Sequence, residues 1–186
     1  MKKIFLLMIM LLFSVNCIYA DETEKEYIPS NFGFKGFGYI SAGTNTDIGN
    51  GGGFGMLYRY NFNKYFGLGI HTNYIATQNS SSNISHMFDT RFLLTFQHET
   101  AYNKKGLVPY LDIGLSFNSG IFNITSLGSF KGYGLGFVIG GGLKYNFEKF
   151  YVGISIDNNL AFILNKKYSK IDPSSLRINL DTGFRF

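Results

Sequence analysis

From residue 32 onward, apolar and polar positions alternate with a period of two, and no long stretch beyond residue 20 holds the 3.6-residue period of an amphipathic helix. Successive Cβ atoms in a strand point to opposite faces, so this alternation predicts an all-β chain of half-buried strands. Eight segments carry it, at about 33–43, 53–62, 65–76, 84–97, 107–118, 130–146, 150–160 and 175–186. Most approach or exceed ten residues. That is longer than the five or six usual in soluble sheets and matches the length a tilted strand needs to cross a bilayer. The last segment shows the pattern most clearly. Leu176, Ile178, Leu180, Thr182, Phe184 and Phe186 fall on one parity, and Arg177, Asn179, Asp181, Gly183 and Arg185 on the other.

The connections fall into two kinds. Residues 61–64 and 146–149 read as tight turns, and their surroundings nearly repeat: Tyr60-Asn61-Phe62-Asn63-Lys64-Tyr65-Phe66-Gly67 against Tyr145-Asn146-Phe147-Glu148-Lys149-Phe150-Tyr151-Val152-Gly153. Longer stretches rich in glycine, asparagine and serine lie at about 44–52, 77–83, 119–129 and 161–174. In a meander with an even number of strands, both termini and every second connection share one end. The tight turns then lie at the end of the termini and the longer loops at the other, as in membrane barrels. The connection 98–106 is longer than that pattern predicts.

Composition decides which face points where. Phe54, Met56, Tyr58, Tyr60 and Phe62 share a face of the second strand, and Phe88, Thr90, Phe92, Leu94 and Phe96 a face of the fourth, with similar rows on the third, fifth, sixth and seventh. No charge interrupts them. The opposite parity carries Arg59, His71, Asp89, Arg91, Asp112, Lys144, Asp157, Arg177, Asp181 and Arg185, separated mainly by Gly, Ser, Thr and Asn. A soluble lipocalin-like carrier alternates in the same way, but its polar face is the outer one and is rich in Lys and Glu. Sparse charges of both signs among glycines suit an enclosed lumen in which arginines pair with aspartates. Gly67, Gly69, Gly132, Gly134, Gly136, Gly140 and Gly142 on that side leave room for arginine side chains. Two groupings stand out: Asp89 with Arg91 on one strand, and Asp181 between Arg177 and Arg185 on another. Eight strands enclose a space barely wide enough for side chains, so these read as a salt-bridged plug and not a gated path. The first strand is two-sided, because Phe32, Phe34 and Ile40 compete with Phe37 and Tyr39.

The start of the chain is a different region. Lys2 and Lys3 precede an apolar run of about ten residues, and Ala20 offers a small residue before Asp21 and Glu22. This is the pattern of a secretory signal peptide cleaved after Ala20, since the run is too short to span a bilayer as a helix. Cys17 offers an alternative, lipidation, but Asn16 stands where a lipobox has a small residue. The expected organisation is a leader at 1–20, a short periplasmic segment at 21–31 and a barrel at 32–186. Loss of the leader lowers the formal charge from +5 to +3, which gives no case for a nucleic-acid partner, and it removes the single cysteine.

Candidate chemistry is sparse. Of His71, His86 and His98, only His71 falls on the lumen parity, and none stands at a metal-ligand spacing. Ser85 and His86 are adjacent and so lie on opposite faces, which separates the one serine and histidine that would resemble a nucleophile and base. The glycine runs at 51–53 and 140–142 match neither phosphate-binding pattern. The sequence therefore gives no catalytic residue, no metal site and no cofactor.

A terminal strand ending in phenylalanine resembles the closing strand of bacterial outer-membrane barrels. Val108-Pro109-Tyr110-Leu111-Asp112-Ile113-Gly114-Leu115 is similar to the Pro-Tyr strand of the opacity-type and outer-membrane-protein-A-like barrel domains, and the Tyr-Asn-Phe turns agree. The resemblance implies an eight-stranded antiparallel up-and-down transmembrane β-barrel in the bacterial outer membrane. It also implies that Phe184 and Phe186 form the signal read by the barrel assembly machinery. Outer-membrane lipid surrounds such a barrel, and its outer loops face any extracellular partner. The expected role is non-enzymatic: envelope integrity, adhesion or host-facing interaction. Two alternatives remain, a narrow passive pore for small or apolar solutes and a soluble periplasmic carrier.

Overall fold

A computed structural model of the chain describes residues 30–42, 48–98, 105–124, 128–164 and 172–186. The expected leader 1–20 and most of the segment 21–31 lie outside them. The described residues form eight strands: β1 (Ser30–Ser41), β2 (Asn50–Asn61), β3 (Phe66–Gln78), β4 (Ile84–Gln97), β5 (Gly106–Ile124), β6 (Gly128–Asn146), β7 (Phe150–Ile163) and β8 (Ser175–Arg185). Each pairs antiparallel with the next, and β1 pairs with β8 from Asn31↔Arg185 to Ser41↔Ser175, so the sheet closes into a barrel. Closure satisfies every ladder from a neighbour, which a sheet in hydrocarbon requires. The first residue of β1 and the residue after β8 meet at the seam, where Ser30 and Phe186 exchange two backbone hydrogen bonds of 2.9 Å.

The two similar turns are built differently. In the first, Asn63 Oδ1 accepts from the amides of Tyr65 and Phe66 at 2.8 and 2.9 Å, an Asx turn that fixes the reversal. Glu148 occupies the matching place in the second, which closes on the Phe147 amide to Phe150 carbonyl bond of 2.8 Å. Two of the expected long loops are shorter than their composition implies. The stretch 77–83 is a compact turn in which Asn79 Oδ1 accepts from the amides of Ser81 and Asn83, with Ser82 at φ 62°. The stretch 119–129 is mostly strand: β5 runs to Ile124 and β6 begins at Gly128, because Phe122 and Phe130 stack 5.4 Å apart on the inner face. β5 and β6 are each 19 residues long and form a hairpin that extends past its neighbours, since β4 pairs with β5 only to Ile121 and β7 with β6 only from Gly134.

Burial alternates along the strands as the parity predicts. The apolar rows point outward and the charged positions inward, apart from Lys131, which is exposed near the tip of the β5–β6 hairpin. β1 uses both of its apolar sets: Phe34 and Ile40 face out, while Phe37 and Tyr39 are buried inside the barrel. Outward aromatics gather in two belts. Tyr60 with Phe62, Phe66 with Phe96 and Tyr145 with Phe147 lie beside the tight turns; Phe54 with Tyr74, Tyr74 with Phe88 and Phe117 with Tyr133 lie toward the other end. Aliphatic side chains such as Ile70, Leu115, Ile139 and Ile154 occupy the band between them. This is the profile of a surface that meets two membrane interfaces and the hydrocarbon between.

The band sets a depth-dependent expectation. Phe92 projects outward midway between the belts marked by Phe88 and Phe96, so Phe92→Arg should destabilise the barrel by about 2–4 kcal/mol, whereas Phe184→Arg at the turn end should cost about 0–1 kcal/mol. Denaturant unfolding of barrels refolded into bilayers measures both. Equal costs would contradict the placement of the band.

Candidate functional site: the closed lumen

All ten positions assigned to the lumen by parity are buried inside the barrel. The structure adds what parity leaves out, namely which side chains meet across the interior. Asp89 on β4 lies between two guanidinium groups, Arg91 Nε at 2.9 Å and Arg177 Nη2 at 2.6 Å. Arg91 also reaches Asp157 on β7 through Nη1 at 2.8 Å, and Asn179 Nδ2 donates to the other oxygen of Asp157 at 2.8 Å. Arg177, Asp89, Arg91 and Asp157 thus form one continuous chain of ion pairs across the barrel. The Arg177 guanidinium also lies 5.2 and 5.5 Å from the ring centroids of Phe37 and Tyr39.

A second cluster lies toward the turn end. Arg59 Nη2 donates to both oxygens of Asp112 at 3.2 and 3.0 Å, Thr95 Oγ1 donates to Asp112 Oδ1 at 2.5 Å, and the Arg59 guanidinium sits over the Tyr110 ring at 4.9 Å. Lys144 Nζ donates to Gln97 Oε1 at 3.0 Å, and Arg185 Nη1 to the Phe147 carbonyl at 3.1 Å. Such pairs hold because each carboxylate is enclosed by donors. Removing one partner would leave a buried charge, a loss of about 3–5 kcal/mol.

The expected pairing of Asp89 with Arg91 is present. The grouping of Asp181 with Arg177 and Arg185 is not: Arg177 turns to Asp89 and Arg185 to the Phe147 carbonyl. Asp181 instead accepts from Tyr110 at 3.5 Å and stands opposite Lys35 in the β1–β8 register. Two residues on one strand face share a side, but long side chains reach across the interior to better partners. The inward glycines differ from expectation in a similar way. A Cβ on Gly153 would sit 2.9 Å from Asp181 Oδ2, one on Gly67 would sit 2.6 Å from Asn61 Oδ1, and one on Gly132 would sit 2.9 Å from the Phe122 ring. They make room mainly for short polar side chains and a phenylalanine, with Arg59 beside Gly69 as the case that fits the arginine expectation.

Sequence reasoning missed two features. Lys35 is a buried lumen cation on the two-sided first strand, where competing phenylalanines hid its parity. At the end away from the tight turns, Phe37, Tyr39, Ile48, Ile75, Met87, Phe122, Ile124, Phe130 and Ile163 form an apolar cluster inside the barrel. Most of these sit in or beside stretches rich in Gly, Ser and Asn, whose polarity reads as loop. The ionic and apolar layers lie one above the other in the lumen, and within the ionic layer a void of about 10 Å³ is lined by Lys35, Arg59, His71, Arg91 and Asp181 among others. That space holds one water-sized occupant.

The histidines stay apart. His71 is buried in the lumen, His86 is exposed and bonds to the Tyr74 hydroxyl at 2.6 Å, and His98 stacks on Tyr65. Ser85 points inward and accepts from the Asn123 amide, so it does not meet His86. Among the described residues, no three His, Cys, Asp or Glu side chains are gathered as a metal cage.

The ionic chain yields a ranking. Asp89→Asn leaves two buried guanidinium groups facing a neutral amide and should cost about 3–5 kcal/mol in denaturant unfolding. Asp112→Asn frees only Arg59 and should cost less. The reverse order would show that the chain through Asp89 does not carry the interior.

Comparison with known proteins matches this geometry. The family model described as outer membrane protein beta-barrel domain matches residues 5–184. A comparison with curated proteins finds no match. Among solved structures, the N-terminal β-barrel domain of Pseudomonas aeruginosa OprF is 22% identical with a TM-score of 0.57, and the match covers 84% of this chain and 97% of that one. Neisserial surface protein A is 13% identical with a TM-score of 0.62 and the same coverage. Ail, the attachment invasion locus protein of Yersinia pestis, is 19% identical with a TM-score of 0.52, covering 85% of this chain and 97% of that one. A closed eight-stranded barrel, apolar outside and ionic within, whose sequence fits the family model along nearly its whole length, belongs to the outer-membrane β-barrel domain family.

Proposed function

We propose that this chain is a non-enzymatic outer-membrane barrel that acts at the cell surface through its outward end, and that its lumen is a structural filling and not a conduit. The observation that carries this reading is the closed interior. Among the described residues, four ion pairs and an apolar cluster occupy the interior, and the void among Lys35, Arg59, His71 and Arg91 measures about 10 Å³, which supports a filled lumen over a solute path. What remains available to a partner is the end opposite the tight turns, where the β5–β6 hairpin extends past its neighbours and exposes Ile121, Lys131 and Tyr133. Envelope integrity, adhesion and host-facing contact are the roles such a surface supports.

The ligand class to test first is a sulfated glycan. Ail has been solved in complex with the heparin analogue sucrose octasulfate. The end of this chain opposite the tight turns carries Lys131, and the sequence between β7 and β8 adds Lys166, Lys167 and Lys170. For assembly, we propose that β8 presents Phe184 and Phe186 to the barrel assembly machinery, as both point outward at the seam. The leader cleaved after Ala20 belongs to the same proposal, since it delivers the chain to the periplasm.

Two measurements test the reading. Purified barrel in planar bilayers should give no discrete conductance steps, and steps altered in Arg91→Ala would establish the narrow pore instead. On intact cells, a membrane-impermeant maleimide should label Lys131→Cys at the hairpin and leave Glu148→Cys at a tight turn unlabelled. The opposite pattern would invert the orientation.

A further inference from the structure

On the outside of the barrel, the described strands carry one charged side chain, Lys131, and one histidine, His86. The register places them in one row. His86 stands opposite Ile121 in the β4–β5 ladder, and Ile121 stands opposite Lys131 in the β5–β6 ladder. All three are exposed on the same face, with His86 and Lys131 two strand spacings, roughly 10 Å, apart. The row lies directly above the outer aromatic belt: His86 is two residues beyond Phe88, and Lys131 two beyond Tyr133, whose ring stacks on Phe117. Lys131 has no ion pair or hydrogen bond among the described residues. His86 Nδ1 is joined to the Tyr74 hydroxyl at 2.6 Å and its ring stacks on the Tyr74 ring, so the imidazole is held in place and Nε2 is left over. When the hydroxyl donates to Nδ1, the ring proton sits on Nε2 and is a donor.

A groove on the same face gives a second, independent indication. It has a volume of about 630 Å³ and is walled by Leu115, Leu135, Phe137, Leu160 and Phe162 on β5, β6 and β7. That volume falls within the roughly 300–1,000 Å³ usual for small-molecule sites. Asp172 and Ser174 lie at its edge beyond β7, on the far side from Ile121, and the Asp172 carboxylate accepts from the Ser174 amide at 2.9 Å. β6 joins the row to the groove. From the hairpin tip toward the membrane its outward positions are Lys131, Tyr133, Leu135 and Phe137, that is, a cation, an interfacial aromatic and then an apolar wall. This is the order in which a lipid presents its charge, its interface and its hydrocarbon. The opposite side of the barrel lacks the arrangement: β1 turns Gly36, Gly38 and Ile40 outward, with no titratable group among them.

We propose that the outer face of β4 to β7 is a specific site for a lipid with a phosphate monoester headgroup, its phosphate held over Ile121 between Lys131 and His86 and one acyl chain in the groove. The phosphate oxygens accept from both side chains, and the opposite charge of Lys131 strengthens the contact. A zwitterionic headgroup carries its own cation beside the phosphate and gains less from Lys131. The lipid is therefore chosen by its headgroup at this one sector, whereas the lipid around β1 only fills space.

The chain has no tryptophan, so Phe162→Trp in the groove and Ile40→Trp on β1 each supply a single fluorophore. Each full barrel is refolded into phosphatidylcholine vesicles in which a brominated-chain phosphatidic acid, or brominated-chain phosphatidylcholine, replaces part of the lipid and quenches the tryptophan it touches. At Phe162→Trp, phosphatidic acid should be preferred by about fivefold, the factor expected for one basic residue at a lipid surface. Ile40→Trp should show no preference. Adding Lys131→Gln and His86→Gln to Phe162→Trp should abolish the preference and leave quenching by phosphatidylcholine unchanged, which shows that the variant still folds. Equal preference at both tryptophans would overturn the proposal, as would a preference that survives loss of both side chains. Relief of the quenching by inorganic phosphate would overturn the lipid assignment in favour of a free ion. The vesicles contain no cell surface and no glycan, so this outcome is independent of the orientation and glycan readings proposed above.

Discussion

Every backbone donor and acceptor in the membrane-facing wall must find its partner within the chain, and the seam between β1 and β8 is where this requirement is met or fails. Water in the hydrocarbon region cannot substitute for a missing strand neighbour. Closure at Asn31↔Arg185 through Ser41↔Ser175 therefore fixes the strand count, brings both ends of the sheet together and divides every strand into two faces. Lipid meets one face. The other encloses a space too narrow for bulk water, so the polar groups directed there must satisfy one another.

That chain of constraints explains what the sequence discloses. Face assignment is legible because lipid tolerates no charge: the uninterrupted rows on β2 to β8 leave one consistent parity, and all ten charged or histidine positions on the other are buried. Partners inside the lumen are a different matter. Asp89 with Arg91 could be read from a two-residue spacing, but Arg91 with Asp157 and Arg59 with Asp112 join strands that are not neighbours. Those meetings depend on how far each ladder is offset around the barrel, and no local pattern encodes that offset. Asp181 shows the error this causes, since sequence proximity to Arg177 and Arg185 suggested a cluster that the interior does not form.

The outer apolar cluster was hidden for another reason. Phe122, Ile124 and Phe130 keep period two, yet the serines, glycines and asparagines around them carry the composition of a loop. Above the membrane a strand no longer needs an apolar outer face, so the signal that marks the other strands weakens there even as the hairpin continues. Inside, the same residues exclude water from the layer of ion pairs below. Arg177 joins the two layers, with its charge on Asp89 and its flat face against Phe37 and Tyr39.

A charged interior is a costly way to fill a barrel, since well-packed apolar side chains often stabilise as well or better. Its value here lies in what it forbids. A slip of one residue in any ladder turns the whole charged set of that strand toward lipid, so the bilayer itself rejects odd slips. A slip of two keeps the faces correct, and lipid cannot detect it. The ion pairs can: moving β4 by two residues against β5 carries Arg91 away from Asp157 and Asp89 away from Arg177, leaving buried charges without partners. Outer rows that read parity and inner pairs that read offset together leave one register.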